Sequence, residues 1–327
     1  MEINFYKGKK VLVTGGTGLI GIPLVEKLLS HGAYVTVVSL DDESRCPDGA
    51  VFLQLDLTQF ENCKKACEGQ DIVFHLAGIK GSPLMCSQKP ASFFYSTIAF
   101  NTHMLEAAYR AGVKRYLFTS SIGVYSPQET FHEDDVWNTF PSPHDKFAGW
   151  AKRMGELQVE AYRIQYNWDH IYIVRPANVY GPWDNFDPQN AMVVPSLIQR
   201  IFEGESPLHC WGDGSAVRDF IFSEDVADDM IRILLSDERR PVNLGSGEGI
   251  TIKELAETLV KIIDPQLKIH WDLSKPSGDK VRLMDTSRAQ RLHIKKRTSL
   301  IKGLEKTINW YQENKLQVNK RYNVFNS

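Results

Sequence analysis

The sequence has no apolar run that approaches the roughly 18–20 residues a membrane-spanning helix needs, so we expect no membrane span. It also lacks a charge excess, since 38 Lys and Arg stand against 40 Asp and Glu, which argues against broad electrostatic binding of nucleic acid. Residues 1–16 have only a short apolar stretch before the first glycines, unlike a signal peptide.

Cysteines are few, and the five that occur are scattered along the chain. An odd, scattered set disfavours a disulfide framework and is typical of the reducing cytoplasm, where we expect the protein to be located. Cys63 and Cys67 fit one helix face, but no second ligand pair accompanies them in the sequence. We therefore expect no metal site.

Apolar residues make up 43% of the 327 residues, enough for a sizeable core. That length suits one large domain or two closely packed lobes. Short apolar segments alternate with helical patterns in the first half, which predicts an α/β fold with a doubly wound parallel sheet of the Rossmann type. The predicted strands are 10–14, 34–39, 51–55, 72–76, 116–120 and 171–175, and the predicted helices are 21–31, 91–111 and 148–166.

A glycine-rich segment, TGGTGLIG at residues 14–21, follows the first predicted strand and opens the first predicted helix. Gly15, Gly18 and Gly21 have GxxGxxG spacing, and Gly16 with the last two fits GxGxxG. Glycine permits a tight turn and close approach to a pyrophosphate, and the helix N-terminus supplies N–H groups and a positive dipole end. In this strand-turn-helix context the glycines predict a dinucleotide-binding site.

The choice of cofactor depends on the residues directly after the second predicted strand. Asp41 and Asp42 are suited to the ribose hydroxyls of NAD and would repel the extra phosphate of NADP. Arg45 would instead attract that phosphate, so NADP stays open as an alternative while we expect NAD. Asp56 and Leu57, after the third predicted strand, are placed to contact the adenine.

The regular alternation of strand and helix patterns ends in the second half of the chain, where five prolines occur from residue 176 to residue 207. We expect residues 1–176 to form the dinucleotide-binding domain, with a segment near 219–245 returning to its parallel sheet. Residues 177–218 and 246–327 are expected to form a smaller substrate-binding lobe. Within it, Thr251-x-x-Glu254 predicts a capping box that opens a helix to about residue 263.

Further motifs lie along residues 10–290: HLAG (75–78), TSSIGVY (119–125), Lys152 in GWAKRMGE, RPANVYGP (175–182), WGDGSAVRDF (211–220) and NLGSG (243–247). With the glycine-rich segment, they make the sequence resemble the extended short-chain dehydrogenase/reductase family, which modifies nucleotide-activated sugars. The stretch NVYGPWDNFDPQNAMVVPSL looks most like the GDP-sugar branch, which includes GDP-L-fucose synthases and GDP-heptose 4-dehydrogenases.

The resemblance implies hydride transfer between a sugar carbon and a nicotinamide, assisted by a serine or threonine, a tyrosine and a lysine. Ser121 matches the serine, and Lys152 matches the lysine that holds the nicotinamide ribose and normally lowers the tyrosine pKa. The tyrosine of the family's YxxxK motif is missing, because position 148 is alanine.

Three explanations of the missing phenol remain open. Another group or an ordered water takes its role, with Tyr125, His144 and Asp145 as nearby candidates in the sequence. Alternatively the enzyme turns over slowly, using Ser121 and hydride positioning alone. The third explanation is an inactive nucleotide-sugar binding protein.

Other departures from the family narrow the expected reaction. Sugar 4,6-dehydratases carry Asp-Glu where this sequence has Ile122 and Gly123, so water elimination lacks its acid and base. The cysteine and histidine that move protons in GDP-L-fucose synthases are also missing, the histidine position being Met192. We therefore expect redox chemistry at carbon 4 of a GDP-linked hexose or heptose, as a 4-dehydrogenase. A 4-keto reductase or a 4-epimerase is the alternative within this class.

The resemblance also implies binding residues. Arg218 and Arg282 match the two arginines that hold the diphosphate, a task suited to the planar guanidinium fork. Asn178 matches a contact to the phosphates or sugar, and Trp211 a contact to the base or its flank. The implied cofactor contacts are Gly15, Gly18, Leu19, Ile20, Ser39, Asp56, Leu57, Leu76, Ala77 and Lys152. The predicted helices 91–111 and 148–166 match those of an intersubunit four-helix bundle, which implies a homodimer.

Overall fold

The computed structural model describes residues 2–79, 88–275, 278–295, 297–316 and 321–322. Its strands are β1 (Lys10–Thr14), β2 (Tyr34–Ser39), β3 (Val51–Gln54), β4 (Ile72–His75), β5 (Arg115–Thr119), β6 (Thr130–Phe131), β7 (Ile171–Pro176), β8 (Asn178–Tyr180), β9 (Leu208–Trp211), β10 (Val217–Phe222), β11 (Val242–Leu244), β12 (Gly249–Thr251), β13 (Ile269–Asp272) and β14 (Val281–Met284).

The helices of the described residues alternate with these strands in the first half of the chain. They are α1 (Glu2–Tyr6), α2 (Gly21–Ser30), α3 (Phe60–Cys67), α4 (Pro90–Arg110), α5 (Lys146–Tyr166), α6 (Val193–Phe202), α7 (Ser223–Leu235), α8 (Ile252–Ile263), α9 (Ser287–Arg291) and α10 (Leu300–Asn314). The predicted strands and helices of the first half are all present, with bounds that differ by at most two residues. None of the helices described is long and apolar enough to cross a membrane.

The main sheet has seven parallel strands in the order β3-β2-β1-β4-β5-β7-β11. The strand order runs outward in both directions from β1 and β4, so the switch point lies between these two strands. In doubly wound sheets ligands bind at the carboxyl ends of the strands beside such a switch point. The predicted doubly wound α/β fold is therefore confirmed, and the glycine-rich segment lies at the expected place.

Apolar side chains cover both faces of this sheet. Along β1, Val11 and Val13 point to one core cluster, which includes residues of α2 and α7. Leu12 points to the opposite cluster, which includes residues of α3, α4 and α5. Because side chains alternate along a strand, a strand buried on both faces reads as a continuous apolar run. That property made the central strands predictable.

A second lobe has its own core cluster and its own sheet, with the strand order β12-β10-β14-β6 and β8 paired to β10. Of the segment 219–245, which is expected to return to the main sheet, the first strand, β10, instead lies in this second sheet. Helix α7 packs on the main sheet, and β11 is the strand that joins it. A short apolar run such as DFIF is compatible with either sheet. The domain limits 1–176, 177–218 and 246–327 stay a prediction.

The capping box predicted at the start of α8 is present. The hydroxyl of Thr251 accepts a hydrogen bond from the N–H of Glu254 at 3.0 Å, and the Glu254 carboxylate accepts one from the N–H of Thr251 at 2.8 Å. These two bonds satisfy N–H groups that the first helical turn leaves without partners. They fix the start of a helix that covers the second lobe's core.

Candidate active site

The turn between β1 and α2 is closed by glycines. Gly15 has a positive φ of 68°, and a Cβ on it would lie 3.1 Å from the backbone of Leu76 and Ala77. A side chain on Gly21 would overlap the backbone of Gly15 and Gly16. The segment is thus a tight turn packed against the chain that leaves β4. Among the described residues no side chain caps α2, and the N–H groups of Leu19 and Ile20 just before it have no acceptor there, so they remain available to a ligand.

A hydrogen-bond chain joins the ends of β1 and β4 beneath this turn. The N–H of Ala77 donates to Oγ1 of Thr14 at 3.1 Å, and Oγ1 lies 2.8 Å from Nδ1 of His75. Nε2 of His75 lies 3.0 Å from Oδ1 of Asn101. Burial and the nearby charge of Lys152 lower the pKa of His75 to about 3, so the ring is neutral and can both donate and accept.

The carboxylate of Asp41, expected to face the cofactor ribose, already has partners in the structure. Oδ2 accepts a hydrogen bond from Oγ1 of Thr17 at 2.6 Å, and Oδ1 accepts one from the N–H of Tyr322 at 2.8 Å. The guanidinium of Arg45 lies 3.8 Å from the same carboxylate. Burial and the charge of Arg321 lower the pKa of Arg45 to about 10. Arg321 and Tyr322 thus contact the segments that follow β1 and β2, a contact that no local sequence signal indicated.

The remaining residues expected to contact the cofactor lie at or after the carboxyl ends of β1, β2 and β3. Leu19 and Leu57 are buried, at 8% and 6% exposure. Oγ of Ser39 lies 2.7 Å from Oγ1 of Thr17, at the end of β2. The carboxylate of Asp56 accepts the N–H of Thr58 at 2.9 Å, which orders the turn after β3. Ile20 stands immediately before α2.

Ser121 and Lys152 lie at the carboxyl end of β5. Oγ of Ser121 accepts the N–H of Gly123 at 3.1 Å, which leaves the serine hydrogen available for donation. Nζ of Lys152 donates to the carbonyl oxygen of Thr119 at 2.8 Å and lies 5.1 Å from the Phe118 ring centroid. Burial lowers the pKa of Lys152 to about 8, against the opposing charge of Glu156.

Two glycines allow α5 to approach this strand end closely. A Cβ on Gly149 would overlap the carbonyl oxygen of Gly123, and a Cβ on Gly155 would overlap the Phe118 ring. Because no side chain separates the backbones, the helix that carries Lys152 lies directly against the loop that carries Ser121. The structure therefore brings the predicted serine and lysine to one site.

The three side chains considered for the role of the missing phenol lie in different environments. Tyr125 is buried and donates to Oδ1 of Asn243 at 2.6 Å, and burial raises its pKa. Its ring stacks on Phe131, so it is a structural residue. His144 is exposed. The carboxyl of Asp145 borders Gly123, whose missing side chain leaves space between Asp145 and Ser121.

A buried ion pair between Glu156 and Arg175, which sequence analysis did not predict, packs against the loop that carries Ser121. Glu156 accepts two hydrogen bonds from the Arg175 guanidinium, at 2.9 and 2.6 Å, and one from Oγ of Ser120 at 2.5 Å. Arg175 also donates to the hydroxyl of Tyr125 at 2.9 Å. Burial alone would lower the pKa of Arg175, but Glu156 raises it. The network fixes Ser120, and with it the backbone of Ser121.

The two arginines expected at the diphosphate stand side by side. Arg218 on β10 and Arg282 on β14 are paired residues of adjacent parallel strands. Nη1 of Arg218 donates to the carbonyl oxygen of Asp279 at 2.7 Å, and Nη2 of Arg282 pairs with Oδ2 of Asp145 at 2.5 Å. Burial and the neighbouring charge of Arg282 lower the pKa of Arg218. Nε of Arg282 is buried and has no hydrogen-bond partner among the described residues.

Comparisons with known proteins agree with this geometry. The family model "NAD dependent epimerase/dehydratase family" matches residues 11–245. The chain belongs to this family. It is 35% identical to "Probable GDP-L-fucose synthase 1" of Oryza sativa subsp. japonica, over 96% of this chain and 95% of that one. It is 28% identical to "dTDP-4-dehydro-6-deoxy-D-allose reductase" of Streptomyces bikiniensis, over 95% and 99%.

The solved structures also include relatives of the whole chain. The epimerase Mth375 from Methanothermobacter thermautotrophicus superposes with a TM-score of 0.87 at 28% identity, covering 98% of this chain and 96% of that one. As a member of the epimerase/dehydratase family, the protein is an oxidoreductase that uses a nicotinamide cofactor. The matched span includes the glycine turn, Ser121, Lys152 and Arg218, but it ends before Arg282.

Asn178 and Trp211, the other two residues expected to bind substrate, lie on separate strands of this member of the family. Asn178 on β8 donates from Nδ2 to the carbonyl oxygen of Asp219 at 2.8 Å, next to Arg218 in the second sheet. Trp211, at the end of β9, is 58% exposed, with Nζ of Lys275 6.0 Å from its ring centroid. Asn178 is thus a neighbour of the arginine pair, and Trp211 offers an open aromatic surface.

Proposed function

We propose that this protein is an NAD-dependent oxidoreductase that transfers hydride at carbon 4 of a GDP-linked hexose or heptose. The observation that carries the proposal is the close packing of α5 on the serine loop, which places Ser121 and Lys152 together while position 148 remains alanine. Serine and lysine serve the sugar oxygen and the nicotinamide ribose. Both would be unnecessary in a protein that only binds a nucleotide sugar.

The glycine turn fits a dinucleotide. The positive φ of Gly15 closes the turn, and the uncapped start of α2 leaves the N–H groups of Leu19 and Ile20 without acceptors among the described residues, where a pyrophosphate would approach. When bound, the nicotinamide supplies or accepts the hydride. In this proposal the chain's own residues hold it: Gly15, Gly18, Leu19 and Ile20 at the phosphates, and Lys152 at the ribose.

The substrate's diphosphate is assigned to Arg218 and Arg282. Their pairing on adjacent strands gives two guanidinium groups on one side of the second sheet. The buried Nε of Arg282, which has no hydrogen-bond partner among the described residues, is a donor that a phosphate oxygen would satisfy. Asn178 and Trp211 are the proposed contacts to the sugar-phosphate and to the base.

Redox at one carbon is the chemistry that the site residues support. The positions that carry further proton-transfer groups in dehydratases are Ile122 and Gly123, neither of which titrates. The name of the Streptomyces bikiniensis relative describes reduction of a 4-keto sugar, which supports the 4-keto reductase alternative. Oxidation and reduction share one transition state, so the same site serves either direction.

The decisive experiment is a single turnover with a panel of nucleotide sugars. Protein saturated with NAD is mixed with GDP-, dTDP- and UDP-linked hexoses, and protein with NADH is mixed with their 4-keto forms, while nicotinamide absorbance is followed. We expect absorbance change with a GDP-linked sugar, and mass spectrometry should show a change of two hydrogens. Tight binding of one nucleotide sugar with no hydride transfer in either direction would favour a non-catalytic sensor.

The cofactor preference is tested separately by binding. We propose NAD because Asp41 and Asp42 follow β2, and a carboxylate there repels the phosphate of NADP. Dissociation constants of NAD and NADP should favour NAD, and Asp41→Asn should reduce that preference. A preference for NADP that Arg45→Ala abolishes would assign the phosphate to Arg45 instead.

We also propose that the protein forms a homodimer through α4 and α5. These helices pack on each other, and they expose apolar side chains, including Tyr95, Met154 and Leu157 at 67%, 47% and 44% exposure. Burying such side chains against a second copy would remove them from water. Leu157→Glu should convert a dimer to a monomer in light scattering, while Glu160→Gln on the same helix should not.

A further inference from the structure

Two chemically active groups border the space above Gly123. A Cβ placed on Gly123 would lie 3.5 Å from Oγ of Ser121 and 3.6 Å from Cγ of Asp145. That position is only one bond length from the Cα of Gly123, so an atom of a ligand must lie further out, but no side chain of residue 123 stands between the two groups. A sugar oxygen lying between the hydroxyl and the carboxyl can approach both, and proton transfer needs contacts of about 2.6–3.2 Å.

Asp145 reaches this space because of its position on the helix. It directly precedes α5, and Ala148 and Lys152 follow at spacings of three and seven residues. Residues at these spacings lie on one helix face. Ala148 contributes only a methyl group to this face, whereas Asp145 contributes a carboxyl group one turn earlier. The tight contact of Gly149 with Gly123 keeps that face against the serine loop.

We propose that Asp145 is the acid/base that replaces the missing phenol, an inference that rests on the proposed function. In oxidation its carboxylate takes the proton of the sugar hydroxyl, while the hydrogen on the same carbon leaves as hydride to the oxidised nicotinamide. The C–O single bond becomes C=O, so electrons and protons balance. In reduction the carboxylic acid returns the proton to the oxygen. Ser121 donates a hydrogen bond that holds this oxygen in place.

The charged groups around Asp145 come mainly from the second lobe. Nη2 of Arg282 lies 2.5 Å from its Oδ2, and the charge of Arg218 is also felt at this site. The carboxylate of Asp279 lies on the other side of Arg282, 3.8 Å from Nε. Lys146 follows Asp145 on α5 and is exposed. Arg282 therefore connects the acid/base to the diphosphate site, and binding substrate engages the same guanidinium.

The test compares proton transfer with binding in Asp145→Asn, which keeps the size of the side chain. We expect the single-turnover hydride-transfer rate constant to fall about 10²–10⁴-fold, the usual loss when a positioned acid/base is removed. Affinity for the nucleotide sugar, measured by calorimetry, should stay the same or increase, because Arg282 no longer pairs with a carboxylate. The ionisation that limits the wild-type rate at one end of its pH profile should disappear.

Chemical rescue separates proton transfer from structure. Asp145→Ala leaves a space for a small carboxylic acid, so added formate should restore hydride transfer in proportion to its concentration. Asp145→Asn should not respond, because its amide occupies that space. Glu160→Gln, which removes an exposed carboxylate of the same helix, serves as the matched control and should retain the wild-type rate.

Each outcome bears on the inference in a defined way. A wild-type protein that turns over no nucleotide sugar of the panel overturns the proposed function, and this inference with it. Wild-type turnover with an equal rate in Asp145→Asn overturns this inference alone. An equally large loss in Asp279→Asn would assign the effect to the environment of Arg282 and would also overturn it. A loss confined to the Asp145 variants, with formate rescue, supports it.

Discussion

Gly149 packs directly on the carbonyl oxygen of Gly123, with no room for a side chain between them. This contact sets the separation of α5 from the loop after β5. Since Lys152 lies on that helix and Ser121 on that loop, one glycine determines how the two site residues face each other. The geometry of the site is therefore a backbone property as much as a property of its polar side chains.

Replacing Gly149 by alanine tests this relationship. The added methyl group must push α5 away from the loop, and overpacking of this kind usually costs about 1–3 kcal/mol. We expect a lower free energy of unfolding in urea titrations and a slower hydride transfer. Because the arginine pair lies on the second sheet, the affinity for the nucleotide sugar should change less than the rate. A variant as fast and as stable as the wild type would contradict the close contact.

Arg218→Ala and Arg282→Ala address the diphosphate. Each removes a charge-assisted contact of about 2–3 kcal/mol, so nucleotide-sugar binding should weaken about 30–150-fold. NAD binding should barely change, because the glycine turn lies on the main sheet. Calorimetry with the nucleotide sugar and with NAD measures both. Unchanged nucleotide-sugar affinity in both variants would show that this arginine pair does not bind the diphosphate.

Gly18→Val addresses the cofactor turn. A Cβ on Gly18 would lie 3.3 Å from the carbonyl oxygen of Gly15 and 3.5 Å from the guanidinium of Arg321. The first carbon atom requires the backbone of Gly15 to shift slightly, and a branched side chain occupies the surface that a pyrophosphate must approach. We expect a folded protein, by circular dichroism, with severely weakened NAD binding. Unchanged NAD affinity would show that the cofactor does not bind at this turn.

Lys152→Met tests the cost of keeping a buried ammonium for function. In the folded protein the pKa of Lys152 is lowered to about 8, so its charged form is disfavoured relative to the unfolded chain. The penalty is fully present below pH 8 and disappears as the pH rises from there to about 10.5, the ordinary lysine value. Lys152→Met should therefore raise the free energy of unfolding at pH 7 by about 1–3 kcal/mol, less at high pH, and should weaken NAD binding.

The exposed Lys146 provides the control for that experiment. Lys146→Met changes a lysine of the same helix that remains in water. Its free energy of unfolding should stay within about 0.5 kcal/mol of the wild type at every pH, as for most surface substitutions. An equal stabilisation in both variants would attribute the effect to added apolar surface rather than to the buried charge.

The sequence predicted the main sheet well because its strands are buried on both faces. Side chains alternate between the two faces of a strand, so a largely apolar run such as IVFH in β4 predicts burial of both faces. The glycine segment marks the first strand-helix junction. The second sheet was harder to predict, since β10 has Arg218 and Asp219 after Val217 and before its apolar residues. Polar residues at a strand's start do not tell which sheet the strand joins.

The candidate site was predictable where its residues belong to motifs, as with Ser121 and Lys152. The relation of Asp145 to Ser121 was not, because it depends on two glycines that allow a helix to approach a loop. The pairing of Arg218 with Arg282 depends on the register of two strands distant in sequence. Such contacts arise from tertiary packing, and no local pattern of residue types encodes them.

The hydrogen bond from the N–H of Tyr322 to Asp41 joins residues 281 positions apart in the chain. The exchange rate of the Tyr322 amide hydrogen therefore depends on whether the Asp41 carboxylate accepts this bond. If the ribose of NAD hydrogen-bonds to the Asp41 carboxylate in its place, the amide of Tyr322 loses its acceptor and its hydrogen exchanges faster with deuterium. Hydrogen-exchange mass spectrometry of this C-terminal peptide would then report cofactor binding with no substrate, no turnover and no optical label.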